Sequence, residues 1–176
     1  MRRKRRDRSV GRDVAGLLLR TVVGGTMVAH GVKHGRSLEG TAGWFSSIGF
    51  RHPRLQAQAS AVVETGAGAA LLAGLGTPLA AAAVVGTMGV AARTVHQPNG
   101  FFITGEGYEY VLNLAAASVA LAGIGPGRWS VDRALGLDRR LHGLPALALA
   151  AGLGLAGTAA QLAAFWRPEP PAPVTG

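Results

Sequence analysis

Five long apolar runs, separated by short polar segments, dominate the chain. Each run approaches the roughly 20 residues that an α-helix needs to cross the hydrocarbon core of a bilayer. This length, together with the scarcity of charge inside each run, predicts transmembrane helices rather than helices of a soluble core. The runs cover about residues 14–32, 57–75, 78–95, 109–124 and 144–166.

Glycine and proline mark the ends of several runs. Gly76-Thr77-Pro78 is a tight connection, so the second and third helices are predicted to be antiparallel neighbours. Gly125-Pro126-Gly127 ends the fourth run. The sequence therefore predicts an all-α membrane protein, a four-helix transmembrane bundle plus a fifth C-terminal transmembrane helix.

The remaining segments complete the predicted organisation. We expect four parts in chain order: a basic cytoplasmic tail (1–12), a four-helix core (13–136), a linker with the fifth helix (137–167) and a Pro-rich disordered tail (168–176).

Two connections are long enough to carry structure of their own. Residues 33–56 are rich in aromatic side chains, which predicts a half-buried loop at the outer membrane interface. Residues 128–142 alternate basic and acidic with apolar positions, which predicts a short amphipathic segment on the cytoplasmic surface, with Ser130 as a helix cap.

Composition supports the membrane interpretation. Only 15% of residues are charged, against roughly 25% in soluble proteins. The 27 glycines suit closely packed membrane helices, and Gly66, Ala70 and Gly74 predict a packing stripe on the second helix. Cysteine is absent, which excludes disulfides, thiolate metal sites and thiol redox chemistry in this chain.

The net charge of +9 reflects orientation rather than nucleic-acid binding. Seven of the eighteen basic residues lie in the N-terminal tail and most others lie in short loops, so no basic face of a folded domain is expected. An N-terminus inside places eleven basic residues in the cytoplasm and five outside. The first helix then acts as a retained signal anchor, and the C-terminus lies outside if the fifth helix spans.

Ionisable residues within the runs are the main functional signal, because each costs several kcal/mol in a bilayer unless it is paired. Alternating topology brings the ends of helices one and three to the starts of helices two and four. This convergence predicts a polar pocket that opens outward. The candidate ligand-binding or polar cluster comprises Arg20, His30, Lys33, Glu64, Arg93, His96, Asn99, Phe101, Phe102, Glu109 and Asn113.

Structural interpretations of the same residues stay open. Arg20 and Glu64, or Arg93 and Glu109, are also consistent with buried ion pairs that fix helix register. Lys33 is also explained by a side chain that reaches the headgroups. No metal site is predicted, because neither helix that carries a histidine offers a second ligand at a spacing specific to metal.

The outer connection between helices three and four has two interpretations. Phe101 and Phe102 form either an aromatic belt or a lid over an apolar pocket beside the polar cluster. Such a pocket suits an amphipathic ligand such as a quinone ring.

Over roughly residues 17–136 the chain resembles the DoxX family of small bacterial membrane proteins. The resemblance rests on the order and spacing of short pieces: Arg20, His30-Gly31-Val32-Lys33, Trp44-Phe45, Gly49, Glu64, Gly74-Leu75-Gly76-Thr77, His96, Asn99-Gly100-Phe101-Phe102, Glu109-Tyr110, Gly125-Pro126-Gly127-Arg128 and Ser130-Val131-Asp132.

This resemblance implies a four-helix core in the bacterial inner membrane and an association with redox chemistry. The wider family is similar to the membrane subunit of a thiosulfate:quinone oxidoreductase. Some relatives are membrane partners of a superoxide dismutase and a sulfurtransferase in oxidative stress defence.

Three functional classes follow from these observations. The first is a quinone-binding subunit or membrane anchor of an oxidoreductase complex, in which Glu64, Glu109 and His96 relay protons or bond a quinone carbonyl, and Arg20 and Arg93 keep the carboxylates ionised. The second is a non-catalytic scaffold whose basic tail binds anionic lipid or an acidic partner in a larger membrane complex. The third is a small transporter, although the sequence lacks an inverted repeat. Whether the chain is itself catalytic stays open.

Overall fold

The computed structural model describes residues 2–139 and 141–168, and within these residues the chain is helical without a β-strand. Besides the α-helices, the chain has a π-helical turn at Ala92–His96, which directly continues the helix that ends at Ala91. It also has short 3₁₀ turns at Gln97–Asn99, Ile103–Gly105 and Leu137–Arg139. The seven α-helices are α1 (Arg2–Arg36), α2 (Leu38–Ser47), α3 (Pro53–Ala73), α4 (Thr77–Ala91), α5 (Glu109–Ile124), α6 (Val131–Ala134) and α7 (Leu144–Phe165).

Three stretches within the described residues are long and apolar enough to cross a membrane: Val10–Arg36, Thr77–Asn99 and Leu144–Phe165. α5 is also apolar but has only 16 residues. α3 has 21 residues and includes the buried carboxylate Glu64. The prediction of an all-helical membrane chain is thus confirmed at the level of helix content and three candidate spans.

Proline and glycine begin and end the helices where the sequence predicts breaks. α3 starts at Pro53, and Pro78 occupies the first turn of α4. Gly74 ends α3 with φ of 66°, and Gly76 precedes α4 with φ of 55°. These left-handed backbone angles suit glycine, which has no Cβ to clash. They allow α3 and α4 to reverse direction within three residues.

The core lies where α1, α3, α4 and α5 meet. Its fully buried side chains include Val23 and Met27 on α1, Leu71 on α3, Val84 on α4 and Leu121 on α5. These apolar side chains lie on the inner faces, while other leucines and valines of the same helices are exposed. This distribution is expected for a bundle whose outer surface faces lipid.

α1 and α3 approach each other through glycine. A Cβ added to Gly68 would lie 2.6 Å from the carbonyl oxygen of Gly24, and one added to Gly24 would lie 2.7 Å from that of Gly68. The prediction that Gly66, Ala70 and Gly74 form the packing surface of α3 was wrong. Gly66 has no atom within 4 Å of such a Cβ, and Gly74 is the helix cap. The contact is made by one glycine from each helix, Gly24 of α1 and Gly68 of α3.

Two other expectations need correction. The first helix does not end near Val32, because α1 continues to Arg36. The connection over 33–56 is not a loop throughout, because it contains α2, whose Phe45 is buried together with Phe50. Of the predicted Pro-rich tail, residues 169–176 lie outside the described residues, and the division of the chain into four parts stays a prediction.

α7 packs along α4 through small residues. A Cβ on Gly154 would lie 2.5 Å from the Cβ of Val85, and Thr158 donates a hydrogen bond to the carbonyl of Gly86 at 3.1 Å. At its C-terminal end, the main chain of Arg51 donates to Phe165 and that of Arg167 donates to Gly49. The fifth predicted helix therefore belongs to the same bundle as the other four.

The glycine contact yields a test of packing. We expect Gly68→Val to lower the free energy of unfolding by about 1–3 kcal/mol, because the added carbons collide with the α1 backbone. Unfolding of the protein in mild detergent, followed by far-UV circular dichroism, measures the change. Gly66→Val on the same helix is the matched control. Equal losses in the two variants would contradict this account of the α1–α3 contact.

Candidate functional site

A cavity of about 490 Å³ lies at the end of the bundle where α1 finishes and α3 begins. Its walls come from α1, α2, α3, α4, α5 and α7. Most of the lining is apolar, including Met27, Met88, Val111 and Leu114. One group of polar side chains lies on the α1 and α3 side, and further polar side chains come from α4, α5, α7 and the residues after α4. The cavity thus combines an apolar body with one polar wall, which is the usual composition of a small-molecule site.

The polar wall is a chain of three side chains on two helices. The imidazole Nδ1 of His34 lies 3.0 Å from Ser60 Oγ, and Ser60 Oγ donates to Glu64 Oε1 at 2.6 Å. His34 Nδ1 also lies 3.2 Å from Glu64 Oε2. Ser60 and Glu64 are one turn apart on α3, so their side chains share a face. The serine hydroxyl holds one carboxylate oxygen in place.

The second carboxylate oxygen of Glu64 lacks such support. Glu64 is 4% exposed, and within the described part of the chain no hydrogen bond reaches its Oε2. The contact with His34 is short enough for an ion pair but is not aligned as a hydrogen bond. Because an unsatisfied buried oxygen is costly, this atom indicates a place where a further group binds.

His30 extends the polar wall by one turn of α1. Its ring centroid lies 6.3 Å from that of His34, nearly perpendicular to it, and 6.4 Å from that of Tyr110 on α5. Both partners line the cavity. His30, His34 and Glu64 each offer one ligand atom, and these three atoms all lie within 4.8 Å of one another.

The connection after α4, residues 97–108, folds back on itself. His96 Nδ1 donates to the Glu106 carbonyl at 2.6 Å, and the Asn99 amide donates to the Val95 carbonyl. Glu109 accepts a hydrogen bond from the main chain of Ile103. His96, Ile103 and Glu106 line the cavity. These contacts fix the connection beside the cavity.

Comparison with known proteins now adds to this geometry. The model of the DoxX family matches residues 15–97. Over these residues the chain is similar to the DoxX family. No curated protein and no solved structure matches it. The predicted resemblance is confirmed over the matched residues, and the DoxX match together with the apolar helices indicates a membrane protein.

The structure brings three of the eleven predicted cluster residues into the cavity wall, namely His30, Glu64 and His96. All three lie inside the DoxX match. The other eight predicted residues do not line the cavity. Lys33 and Asn113 are exposed, and Asn99 and Glu109 bond the backbone of the connection after α4. Phe101 and Phe102 pack edge to face with ring centroids 5.3 Å apart, and Arg20 and Arg93 contact other groups.

Neither predicted arginine–glutamate pair forms. Arg93 lies over the ring of Trp166, 4.7 Å from its centroid, which is a cation–π contact. Glu109 is bonded to the backbone as described above. Arg20 is buried beside Leu71, two turns along α3 from Glu64. The two pairs were predicted because their residues were expected at similar depths in the membrane, and a similar depth does not determine which side chains meet.

Arg20 binds backbone instead of a carboxylate. Its guanidinium donates to four carbonyl oxygens, those of Leu71, Leu72, Pro126 and Trp129. The side chain is 3% exposed. These carbonyls belong to the last turn of α3 and to the connection after α5, so one side chain joins three separate segments.

Asp132 lies in the same region, and the sequence did not single it out as a buried group. It is 3% exposed, and its carboxylate accepts hydrogen bonds from the main chain of Gly76 and from both the main chain and the hydroxyl of Thr77. A carboxylate at a helix N-terminus is favourable because the first N–H groups lack partners there. Ser130 caps α6 as predicted, accepting from the Arg133 N–H.

Sequence reasoning missed His34 and Ser60. The signal for His34 was its position four residues after His30, which places both on one helix face. It was overlooked because the first helix was expected to end before it. The statement that no second ligand accompanies a histidine on this helix was therefore wrong. Ser60 carries only a positional signal, four residues before Glu64.

The Arg20 contacts generate a stability prediction. We expect Arg20→Leu to lower the free energy of unfolding by about 3 kcal/mol or more, because four buried carbonyls lose their donor. Arg20→Lys should lose less, since it keeps the charge but not the planar fork. Arg36→Leu, at the exposed end of the same helix, serves as the control. A loss no larger than in the control, measured by unfolding in detergent, would refute the assigned role.

Proposed function

We propose that this DoxX-domain protein binds a quinone in the cavity and thereby supports redox chemistry in the bacterial inner membrane, as a subunit or membrane anchor of an oxidoreductase complex. The observation that carries the proposal is the combination of apolar walls with the His34–Ser60–Glu64 chain. The volume of about 490 Å³ falls within the roughly 300–1,000 Å³ of typical ligand sites.

The residues fit the chemistry of a quinone head group. A quinone accepts two electrons and two protons and has carbonyl oxygens that need hydrogen-bond donors. His34 lies at the polar wall with a donor-capable imidazole, and Ser60 connects it to Glu64. Met27, Met88 and Leu114 offer apolar surface for the ring and the start of its tail. The chain has no cysteine, so the electrons would come from a partner oxidoreductase.

Protons would travel along the polar wall. Glu64 would hold a proton at Oε2, the oxygen that receives no hydrogen bond, and would pass it to His34 Nδ1, 3.2 Å away, while His34 would give the proton on its other ring nitrogen to a quinone oxygen. His96 lines the cavity from the end of the π-helical turn after α4 and is already bonded to the connection that follows. In this proposal Glu64 is the proton donor, while Glu109, which was also expected to act, supports the backbone.

The finer topology belongs to the same proposal. We infer that α1, α3, α4, α5 and α7 all span the bilayer, with the N-terminus inside. Support comes from α3, which at 1.5 Å per residue is about 31 Å long, close to the roughly 30 Å hydrocarbon core. α5 is about 24 Å long by the same measure. The last turn of α3 and the connection after α5 lie level with Arg20 of α1, and the residues just before α3 lie level with the end of α7, as the contacts of Arg20 and Arg51 indicate.

The absence of cysteine makes this topology directly testable. Single cysteines at Arg51 and Phe102 should react with a membrane-impermeant maleimide in intact cells, because both exposed positions follow outward-running helices. Cysteines at Leu75 and Leu135 should react only after permeabilisation. Labelling of the Arg51 and Leu75 positions from the same side would show that α3 does not span.

Quinone binding predicts a stoichiometric ligand. We expect the purified protein to retain close to one quinone per chain, measured by solvent extraction and chromatography. Ala59→Trp should reduce this occupancy at least tenfold, because Ala59 lines the cavity and the indole would fill it. Val62→Trp is the matched control, since Val62 is 72% exposed and does not line the cavity.

Activity provides the second readout of the same proposal. Glu64→Gln should slow quinone-linked electron transfer in membranes at least tenfold, because an amide, unlike a carboxylic acid, does not release a proton near neutral pH. Glu109→Gln should leave the rate of this electron transfer unchanged. Absence of quinone from the wild-type protein, together with unchanged activity of Glu64→Gln membranes, would rule the proposed function out.

A further inference from the structure

We propose that His30, His34 and Glu64 form a binding site for a divalent transition metal, best suited to Zn²⁺, at the polar wall of the cavity. The proposal does not depend on quinone binding, because the three ligands belong to the chain itself. Its basis is a set of two imidazoles and one carboxylate whose ligand atoms lie within 4.8 Å of one another.

The spacing on α1 suits metal binding. His30 and His34 are four residues apart, so both rings project from one face of the helix. Two histidines at this spacing are a recurring way for a helix to hold zinc. Glu64 on α3 faces them across the helix contact, and this contact is close because Gly31 lies against Thr65 and Ala61 of α3.

The distances are close to those that an ion requires. Two ligands at about 2.1 Å from a tetrahedral Zn²⁺ lie about 3.4 Å apart. His34 Nδ1 and Glu64 Oε2 are separated by 3.2 Å, so this pair already has a suitable spacing. His30 is exposed, and a rotamer change of its side chain can complete the set.

Glu64 provides the observation that an ion pair alone does not explain. Ser60 donates to Oε1 at 2.6 Å, and Oε2 is buried without a hydrogen bond among the described residues. A hydrogen bond to one oxygen that leaves the other for the metal is the usual way in which a neighbouring residue orients a carboxylate ligand. The unsupported oxygen faces the two histidines.

The ligand set selects the class of metal. Imidazole and carboxylate suit Zn²⁺, whereas Mg²⁺ and Ca²⁺ prefer oxygen ligands throughout. Three protein ligands leave a fourth position, and all three residues line the cavity. That position therefore opens into the cavity, where a water molecule or a ligand oxygen can occupy it.

Metal titration tests the site in the full-length protein. The protein is purified in detergent with an affinity tag that contains no histidine, treated with a chelator, and titrated with Zn²⁺ against a fluorescent competitor. We expect one equivalent to bind. Co²⁺ should give the visible absorption of a four-coordinate ion. Failure of the wild-type protein to bind either ion above background would overturn the proposal.

Variants distinguish a metal site from the His34–Glu64 ion pair. His30→Asn should weaken Zn²⁺ binding at least tenfold, although His30 takes no part in that ion pair and its exposed position makes misfolding a minor concern. His34→Asn should weaken binding similarly, and Ser60→Ala by roughly tenfold through loss of orientation.

The control is His96→Asn, which removes a cavity histidine outside the cluster and should leave Zn²⁺ affinity unchanged. Equal affinity in the wild type and the His30→Asn variant would overturn the site. These measurements use quinone-free protein, so a negative result leaves quinone occupancy to be judged separately. A positive metal result, with no quinone recovered and with unchanged quinone-linked activity of Glu64→Gln membranes, would sustain this site and remove the proposed function.

Discussion

The fold depends on one buried cation. Arg20 binds four backbone carbonyls from the last turn of α3 and from the connection after α5, and in doing so it joins α1 to two other segments at one end of the bundle. Asp132 lies in the same region and caps the start of α4. A guanidinium in an apolar environment is stable only when its donors are used. The guanidinium needs acceptors and the buried carbonyls need a donor, and this arrangement of the helices provides both.

The opposite end of the bundle is built differently. There α1 and α3 lie close together through glycine, which brings His34 within 3.2 Å of Glu64, while α4 and α5 stand far enough away to leave the cavity. The connection after α4 is held here by a bond from the His96 side chain to the Glu106 carbonyl, and the end of α7 is held by backbone bonds to Gly49 and Arg51. The same helices are therefore joined by Arg20 at one end and leave a cavity toward the other, where glycine brings only α1 and α3 close together.

The sequence predicted the helices well because length, hydropathy and breakers are local properties. It also predicted that His30, Glu64 and His96 would share one end, since alternating helix direction requires this. It did not predict the partners of Arg20, because a carbonyl has no signature in sequence. It missed His34 because only the three-dimensional structure extends α1 to Arg36. The α1–α3 contact was likewise misplaced, since several glycines on α3 compete and only the partner helix selects Gly68.

The two proposals are connected by the different surroundings of the two carboxylate oxygens of Glu64. Ser60 holds Oε1 of Glu64, so the carboxylate cannot rotate freely, and Oε2 is directed toward the histidines and the cavity. A proton or a metal ion can each satisfy this atom. An arginine placed near Glu64 would have satisfied it internally and closed the site. The location of Arg20 at the far end of the bundle is therefore what leaves Glu64 available for chemistry.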